Sequence, residues 1–307
     1  MTMKLIFMGT PDFAVPCLES LIAAGHEVCA VFTQPDKPKG RSQTLTPPPV
    51  KVYADKANIP VYQPASLKGG AADRLIASFN ADAAVVVAYG KIIPASTLKL
   101  TRLGFVNVHA SLLPKYRGAA PIQWAIVDGD EQTGVTTMLI DEGLDTGDML
   151  ETAVTPIDPD EHCEALHDRL SALGAELILT TLSGLDAGTL TPVKQNDAEA
   201  TYAKIISKEM AHIDWSSSAR QIHNLVRGFD PWPVAYSALN GRRLKVYDTA
   251  VCSGCGEPGT VIDNDGRLVV ACGDGSIELL SVQLEGSRRM SAADMLRGNH
   301  IDIGYKF

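Results

Sequence analysis

With 307 residues, 45% hydrophobic and 21% charged, the chain is ordinary globular material long enough for two domains, each with its own core. It has no run of about 18 apolar residues and no signal-type leader, and six scattered cysteines (Cys17, Cys29, Cys163, Cys252, Cys255, Cys272) do not make a disulfide framework, so a soluble, cytoplasmic protein is expected. The formal charge of −9, of which −7 falls in residues 1–185, argues against indiscriminate nucleic-acid binding; Lys37, Lys39, Arg41 and Lys51, with no carboxylate between Asp36 and Asp55, are a local basic exception.

Up to about residue 150, short β-type runs at 5–8, 28–33, 84–88, 104–109 and 135–140 alternate with helical stretches at 13–24, 50–57, 72–79 and 121–127. That alternation predicts a doubly wound α/β domain on a mostly parallel sheet, with ligand sites in crevices beyond the strands' carboxyl ends. A further helix at about 161–182, with Leu166, Leu170, Leu173, Leu177 and Ile178 at helical spacing, closes a first domain of residues 1–185. Residues 186–204 show neither periodicity and are expected to be a linker. After a helix at 219–227, β-type runs at 235–239, 244–247, 268–271 and 277–282 alternate with Asn240-Gly241, Asp265-Gly266 and Asp274-Gly275, strong hairpin signals. Residues 205–307 are thus expected to form a small antiparallel β-barrel, the architectural class that includes oligonucleotide-binding barrels.

The chemistry concentrates at 105–118. Asn107 and His109, two apart on a strand, leave the same face near its carboxyl end. An Asn amide can donate to an oxygen gaining negative charge, and a His can move a proton in the same step. Taken alone, such a pair more often serves structure. The loop Asp141-Glu142-Gly143-Leu144-Asp145-Thr146-Gly147-Asp148 can bring a carboxylate to a neighbouring His, and Asp145 could orient the imidazole, although a lone loop Asp is usually a turn former. Cys252 and Cys255, with Cys272, make only half a zinc site. Gly9-Thr10-Pro11 lacks the spacing of a dinucleotide loop, so neither a metal nor NAD is expected.

Asn107-x-His109 with Ser111-Leu112-Leu113-Pro114 and the later Asp145 loop resembles the folate-dependent formyltransferases. Gly9-Thr10-Pro11-Asp12-Phe13, Val86-Val87-Ala88-Tyr89-Gly90, the run from Lys115 to Ile122, Ile213-Asp214-Trp215 and Arg227-Gly228-Phe229-Asp230-Pro231-Trp232-Pro233 extend the likeness over nearly the whole chain, toward the branch that acts on methionyl-tRNA. The resemblance implies a catalytic trio of Asn107, His109 and Asp145, and a folate site on Ser111, Leu112, Leu113 and Pro114 with Ala88, Tyr89, Gly90 and Asp141. It implies 10-formyltetrahydrofolate as formyl donor, without a metal, and methionyl initiator tRNA as acceptor.

In the resembling family the basic loop holding Lys37, Lys39 and Arg41 contacts the tRNA, and Arg242 and Arg243 are candidate tRNA contacts in the second domain. Read without the resemblance, these residues are solvated cations. No DNA or membrane partner is expected, and the chain is expected to be a monomer. Two rivals stand beside this reading: a formyltransferase for a small amine, such as glycinamide ribonucleotide or an amino sugar, and an RNA-binding protein that has lost the reaction.

Overall fold

The computed structural model describes residues 2–39 and 43–307. In chain order come β1 (Lys4–Gly9), α1 (Val15–Ala23), β2 (Glu27–Phe32), β3 (Lys37–Lys39), β4 (Thr44–Thr46), α2 (Pro49–Lys56), β5 (Val61–Tyr62), α3 (Ala71–Ser78), β6 (Ala83–Val87), α4 (Ala95–Leu98), β7 (Phe105–His109) and β8 (Arg117–Gly118). The chain continues through α5 (Pro121–Val127), β9 (Gln132–Leu139), β10 (Met149–Pro156), α6 (Cys163–Ala187), β11 (Tyr202–Ala203) and α7 (Ala219–Gly228). It ends with β12 (Tyr236–Leu239), β13 (Arg242–Cys252), β14 (Val261–Asp263), β15 (Leu268–Ala271), β16 (Ser276–Leu284), β17 (Met290–Ser291) and α8 (Ala292–Gly298). Two compact units result: Met1–Gly118 with Thr133–Thr155 and His167–Tyr202, and Ala119–Gln132 with Pro156–Leu166 and Ala203–Phe307.

The first unit is built on a seven-stranded sheet in the order β10-β9-β7-β6-β1-β2-β5. From β7 to β5 each neighbouring pair is parallel, and β9 runs antiparallel to β7. Strand alternation sends Ile6, Met8, Ala30, Phe32, Ala84, Val86 and Phe105 to one face, where they pack with Ala72 and Ile76 of α3. The other face receives α6. A Cβ on Gly174 would lie 2.8 Å from Val108 Cγ1, so the bare glycine is what lets the helix lie directly on β7. Ser20 of α1 donates to Ala175 O, placing α1 on that side as well.

Periodicity overlooks several pieces of this unit. β5 has two residues, β10 is a sheet-edge strand with Glu151, Thr152 and Thr155 diluting its apolar signal, and β3 with β4 forms a ribbon where the sequence suggests only a loop. α6 also runs to Ala187 rather than about 182, with Leu190 folded against Gly184, where a Cβ would come within 2.6 Å of its Cδ1. Among the described residues α6 is the helix long and apolar enough to cross a membrane, but its Leu170, Ile178 and Leu182 are fully buried in the unit's core. Residues 186–204 begin on α6, and Val193 exchanges two backbone hydrogen bonds of 2.8 Å with Met149.

In the second unit a curled antiparallel sheet runs β12-β13-β16-β15-β14, with β17 on β16. The three Asn-Gly and Asp-Gly pairs sit at the expected hairpins; Asn240 (φ 52°) and Gly241 (φ 75°) both adopt the left-handed region that a tight two-residue turn demands. The sheet encloses Trp215, Leu244, Val246, Leu268, Val270, Ile277 and Leu279. α7 starts on a capping box between Ser218 and Gln221.

Within this unit a bulge at Asp248 re-aims its carboxylate to 3.6 Å from His162 Nε2, while Asp230 Oδ2 lies 3.1 Å from Nδ1. Asp230 first, then Asp248, push the His162 pKa up to about 9. A raised folded-state pKa contributes stability that is full below the ordinary histidine value and is lost as pH rises through about 9. His162→Gln is therefore expected to lose roughly 1–3 kcal/mol relative to wild type at pH 6 and almost nothing at pH 10, measured by urea unfolding at both. An equal loss at the two pH values would show that His162 acts by packing instead of charge.

Candidate active site

β7 delivers the site residues. Phe105 packs into the α3-side core, so Asn107 and His109 project from that same face, whereas Val106 and Val108 are buried on the other. The register sets His109 opposite Thr136 and Asn107 between Val86 and Met138. Asn107 is half-buried, and its amide has no hydrogen-bond partner among the described residues. His109 is 6% exposed. Its Nε2 lies 2.9 Å from Tyr116 O, a carbonyl that only accepts, so Nε2 carries a proton. Nδ1 faces Asp145 Oδ2 at 3.9 Å.

Asp145 reaches that position from a loop braced at several points. Its Oδ2 accepts the Gly118 N–H at 2.8 Å, and its own backbone is left-handed, with φ 53°. Gln195 Nε2 donates to the carbonyls of Asp145 and Gly147, each at 2.8 Å. Gln195 Oε1 accepts from Arg117 Nε at 2.9 Å, and Arg117, although 2% exposed, is paired with Asp197 at 2.8 Å. Sequence reasoning passed over Gln195 and Arg117. A Gln in a polar stretch and an Arg in a turn carry no periodic signal; Arg117 stands out only through its burial in the fold.

The turn after β7 is stapled internally. Ser111 Oγ donates to Lys115 O at 2.6 Å, and Thr136 Oγ1 donates to Ser111 O at 2.7 Å while accepting from Leu113 N at 3.2 Å. Ser111 and Leu113 are buried, with Leu112 and Pro114 partly exposed. At the carboxyl end of β6 the main chain turns through Ala88 (φ 46°) and Gly90 (φ 74°), both exposed. The Tyr89 ring goes the other way, into the core with Ile6 and Phe32; burial pushes its pKa up to about 12, and its hydroxyl finds no partner among the described residues. What this segment offers a ligand is main chain and Ala88. Asp141 is exposed and spends its carboxylate on Gly143 N and Thr146 Oγ1, bracing the loop that carries Asp145.

The basic residues separate into different fates. Lys37 is exposed on the β3–β4 ribbon, Lys39 pairs with Thr44 in its ladder, and Arg41 lies outside the described residues. Lys51 is tied to Asp36 at 3.1 Å and to Gln63. Burial, and then nearby Lys37, hold Lys91 below the ordinary lysine value. In the second unit Arg242 and Arg243, with Lys245, His212 and Tyr236, line a cleft of about 650 Å³ that also contains Glu285. Arg243 stacks on the Tyr236 ring at 4.4 Å, and Arg242 donates to Glu285 O. Among the described residues no three His, Cys, Asp or Glu side chains gather as metal ligands.

An α/β unit carrying Asn, His and Asp at the carboxyl end of its sheet, followed by a curled antiparallel unit, matches a known family. The chain belongs to the formyl transferases: residues 3–182 match the formyl transferase model, and residues 205–300 match that of the formyl transferase C-terminal domain. A methionyl-tRNA formyltransferase of Geobacter metallireducens is 51% identical over 99% of this chain and 98% of its own length. One from Lachnospira eligens is 48% identical over 98% of each. Among solved structures, the sugar 3N-formyltransferase WlaRD, in the presence of dTDP and 5-N-formyl-THF, shares the fold at a TM-score of 0.69 and 17% identity, covering 94% of this chain and 100% of its own. HypX from Aquifex aeolicus in complex with tetrahydrofolic acid does so at 0.66 and 16%, covering all of this chain and 51% of that one.

The loop geometry gives a direct test. A Cβ on Gly147 would sit 1.8 Å from the Leu139 carbonyl oxygen, a backbone atom that cannot swing aside. Gly147→Ala is expected to cost about 2–4 kcal/mol, read as a lower midpoint in chemical unfolding. An unchanged midpoint would mean that the loop does not approach β9 this closely.

Proposed function

We propose that the chain transfers the formyl group of 10-formyltetrahydrofolate to the amino group of methionyl-tRNA, acting in the cytoplasm. The observation that carries the reading is the near-complete, roughly half-identical match to relatives named for that reaction. The site chemistry agrees with it. The amine attacks the formyl carbon, whose oxygen gains negative charge, and the Asn107 amide, without a partner among the described residues, would donate to it. His109 has Nε2 committed to Tyr116 O, so Nδ1 is the nitrogen that takes part in moving the amine proton, directly or through water, toward N10 of the folate. The carbon–N10 bond then breaks, releasing tetrahydrofolate and the N-formyl product. Asp145, 3.9 Å from Nδ1, keeps the ring oriented and balances the positive charge it gains.

The turn of Ser111, Leu112, Leu113 and Pro114 and the exposed main chain at Ala88 and Gly90 are the walls on which the folate would lie, with Asp141 holding the adjacent loop. Lys37 and Lys39 on the ribbon, together with Arg41 in the same stretch of sequence, would meet acceptor phosphates, as would Arg242 and Arg243.

Incubation with 10-formyltetrahydrofolate and methionyl-tRNA, glycinamide ribonucleotide or an amino sugar, with release of tetrahydrofolate followed, decides the acceptor. Turnover with a small amine and none with the tRNA would overturn the proposal. Under the tRNA conditions His109→Ala and Asn107→Ala are each expected to lower kcat by about a hundredfold or more with folding intact. Near-normal turnover in folded His109→Ala protein would remove His109 from the chemistry.

The basic ribbon predicts a salt effect. Replacing Lys37, Lys39 and Arg41 by Ala should weaken tRNA binding and flatten the plot of log affinity against log salt by about 0.7–0.9 per lost phosphate contact, leaving folate affinity unchanged. Parallel plots for the triple variant and wild type would assign these residues to solvent.

A further inference from the structure

We propose that Gln195 is a positioning residue of the candidate active site: its carboxamide clamps the main chain of the Asp145–Gly147 turn and so keeps the Asp145 carboxylate beside His109. The inference rests on the roles given above to Asp145 and His109. Arg117 Nε can only donate, so the oxygen of the Gln195 amide must face it, at 2.9 Å. The amide nitrogen is then directed to the carbonyls of Asp145 and Gly147, two acceptors for its two hydrogens, each at 2.8 Å. Apart from asparagine, which is one methylene shorter, no other uncharged side chain offers an acceptor and two donors from a single planar group.

Arg117 is a fixed anchor for this arrangement. Its side chain is 2% exposed, its Nη2 is held by Asp197 at 2.8 Å, and its backbone N–H donates to Thr201 O at 2.9 Å. The next residue, Gly118, holds the Asp145 carboxylate through its own N–H. Arg117–Gly118 therefore grips Asp145 twice, at the carboxylate directly and at the main chain through Gln195. The second grip has a physical reason. Asp145 sits at φ 53°, in the left-handed region that aspartate visits more readily than most residues but does not favour, so its surroundings hold it there. Relaxation of that residue to ordinary φ would swing the carboxylate away from Nδ1.

The informative variant is Gln195→Glu. It keeps the shape and the oxygen that Arg117 requires, and it replaces the two donors to the loop with a carboxylate oxygen that repels the Asp145 and Gly147 carbonyls instead of binding them. The expected result is a folded protein whose kcat falls about 10- to 100-fold, the scale for a displacement of roughly 1 Å in a catalytic group, with KM for both substrates changed by less than about threefold. The ¹⁵N signals of the His109 ring should move as they do in Asp145→Asn. The double variant should be no slower than Asp145→Asn alone, because both changes act through one carboxylate. Wild-type kcat in Gln195→Glu alongside an impaired Asp145→Asn would overturn the positioning role and leave the reading of Asp145 intact. Wild-type kcat in Asp145→Asn would overturn that reading, and this proposal with it. Should Gln195→Glu not fold, Gln195→Met, of similar length and without donors, carries the same expectations and the same refutation.

Discussion

A histidine on a strand and an aspartate on a loop stay face to face only if both backbones are held, and here one short segment holds them both. Tyr116 O receives the His109 Nε2 proton, and two residues on Gly118 N–H binds the Asp145 carboxylate. The segment is itself pinned: Ser111 Oγ closes the preceding turn onto Lys115 O, and Thr201 accepts from Tyr116 N and Arg117 N. The 3.9 Å separation of imidazole and carboxylate is thus set by main-chain hydrogen bonds made in and around residues 115–118. These are buried or half-buried groups whose loss leaves a partner unsatisfied, so the geometry is stiffer than a pairing of two free side chains would be.

What was legible in the sequence follows from how local each signal is. The two-residue spacing of Asn107 and His109 is a strand property, and the structure keeps both on one face. Asn240-Gly241 declares its hairpin because few other residue pairs tolerate two left-handed conformations in succession. The remainder was not local. Tyr89, grouped by motif with Ala88 and Gly90, turns its ring into the core, a choice made by the cavity between β1, β2, β6 and α3 and invisible in a tripeptide. Gln195 stands 50 residues from Asp145 and 78 from Arg117, so its significance exists only after folding. β10 was missed because an edge strand need not alternate apolar and polar residues as strictly as a central one.

Charge was the least legible property. Of the basic residues that follow Asp36, Lys51 turns out to be neutralised by Asp36 itself, with Gln63 sharing the contact, so it is not part of a free basic surface. Gln63 first, then Lys51, holds the Asp36 carboxyl below its ordinary value, as expected when the ionised form is the hydrogen-bonded one. In the second unit Arg242 and Arg243 keep their charges but are oriented, one by the Glu285 carbonyl and one by the face of Tyr236. An oriented guanidinium loses less conformational entropy on meeting a phosphate than a free one does. Counting cations along the chain therefore misjudges the ribbon and the cleft in opposite directions.

Left-handed backbone recurs in the segments that hold the site. Asn58, Asn80 and Asn240 occupy the left-handed region at little cost, since asparagine tolerates it. Ala88 and Tyr116 lack that tolerance and occupy the region at φ 46° and 60°, as Gln43 and Val234 do elsewhere at 51° and 72°; Asp145, an aspartate that shares much of asparagine's tolerance, sits at 53°. Ala88, Tyr116 and Asp145 lie in three separate segments: the end of β6, the turn after β7 and the loop following β9. Each is held by bonds already described or by its immediate neighbours: Tyr116 by Thr201, Asp145 by Gly118 and Gln195, and the Ala88 turn by Gln34, which donates to the carbonyls of Tyr89 and Gly90. Unfavourable conformations are retained where relaxing them would displace something useful. At Asp145 the displaced group would be the carboxylate facing His109, at Tyr116 the carbonyl that fixes the His109 ring, and at Ala88 the exposed main chain at the carboxyl end of β6.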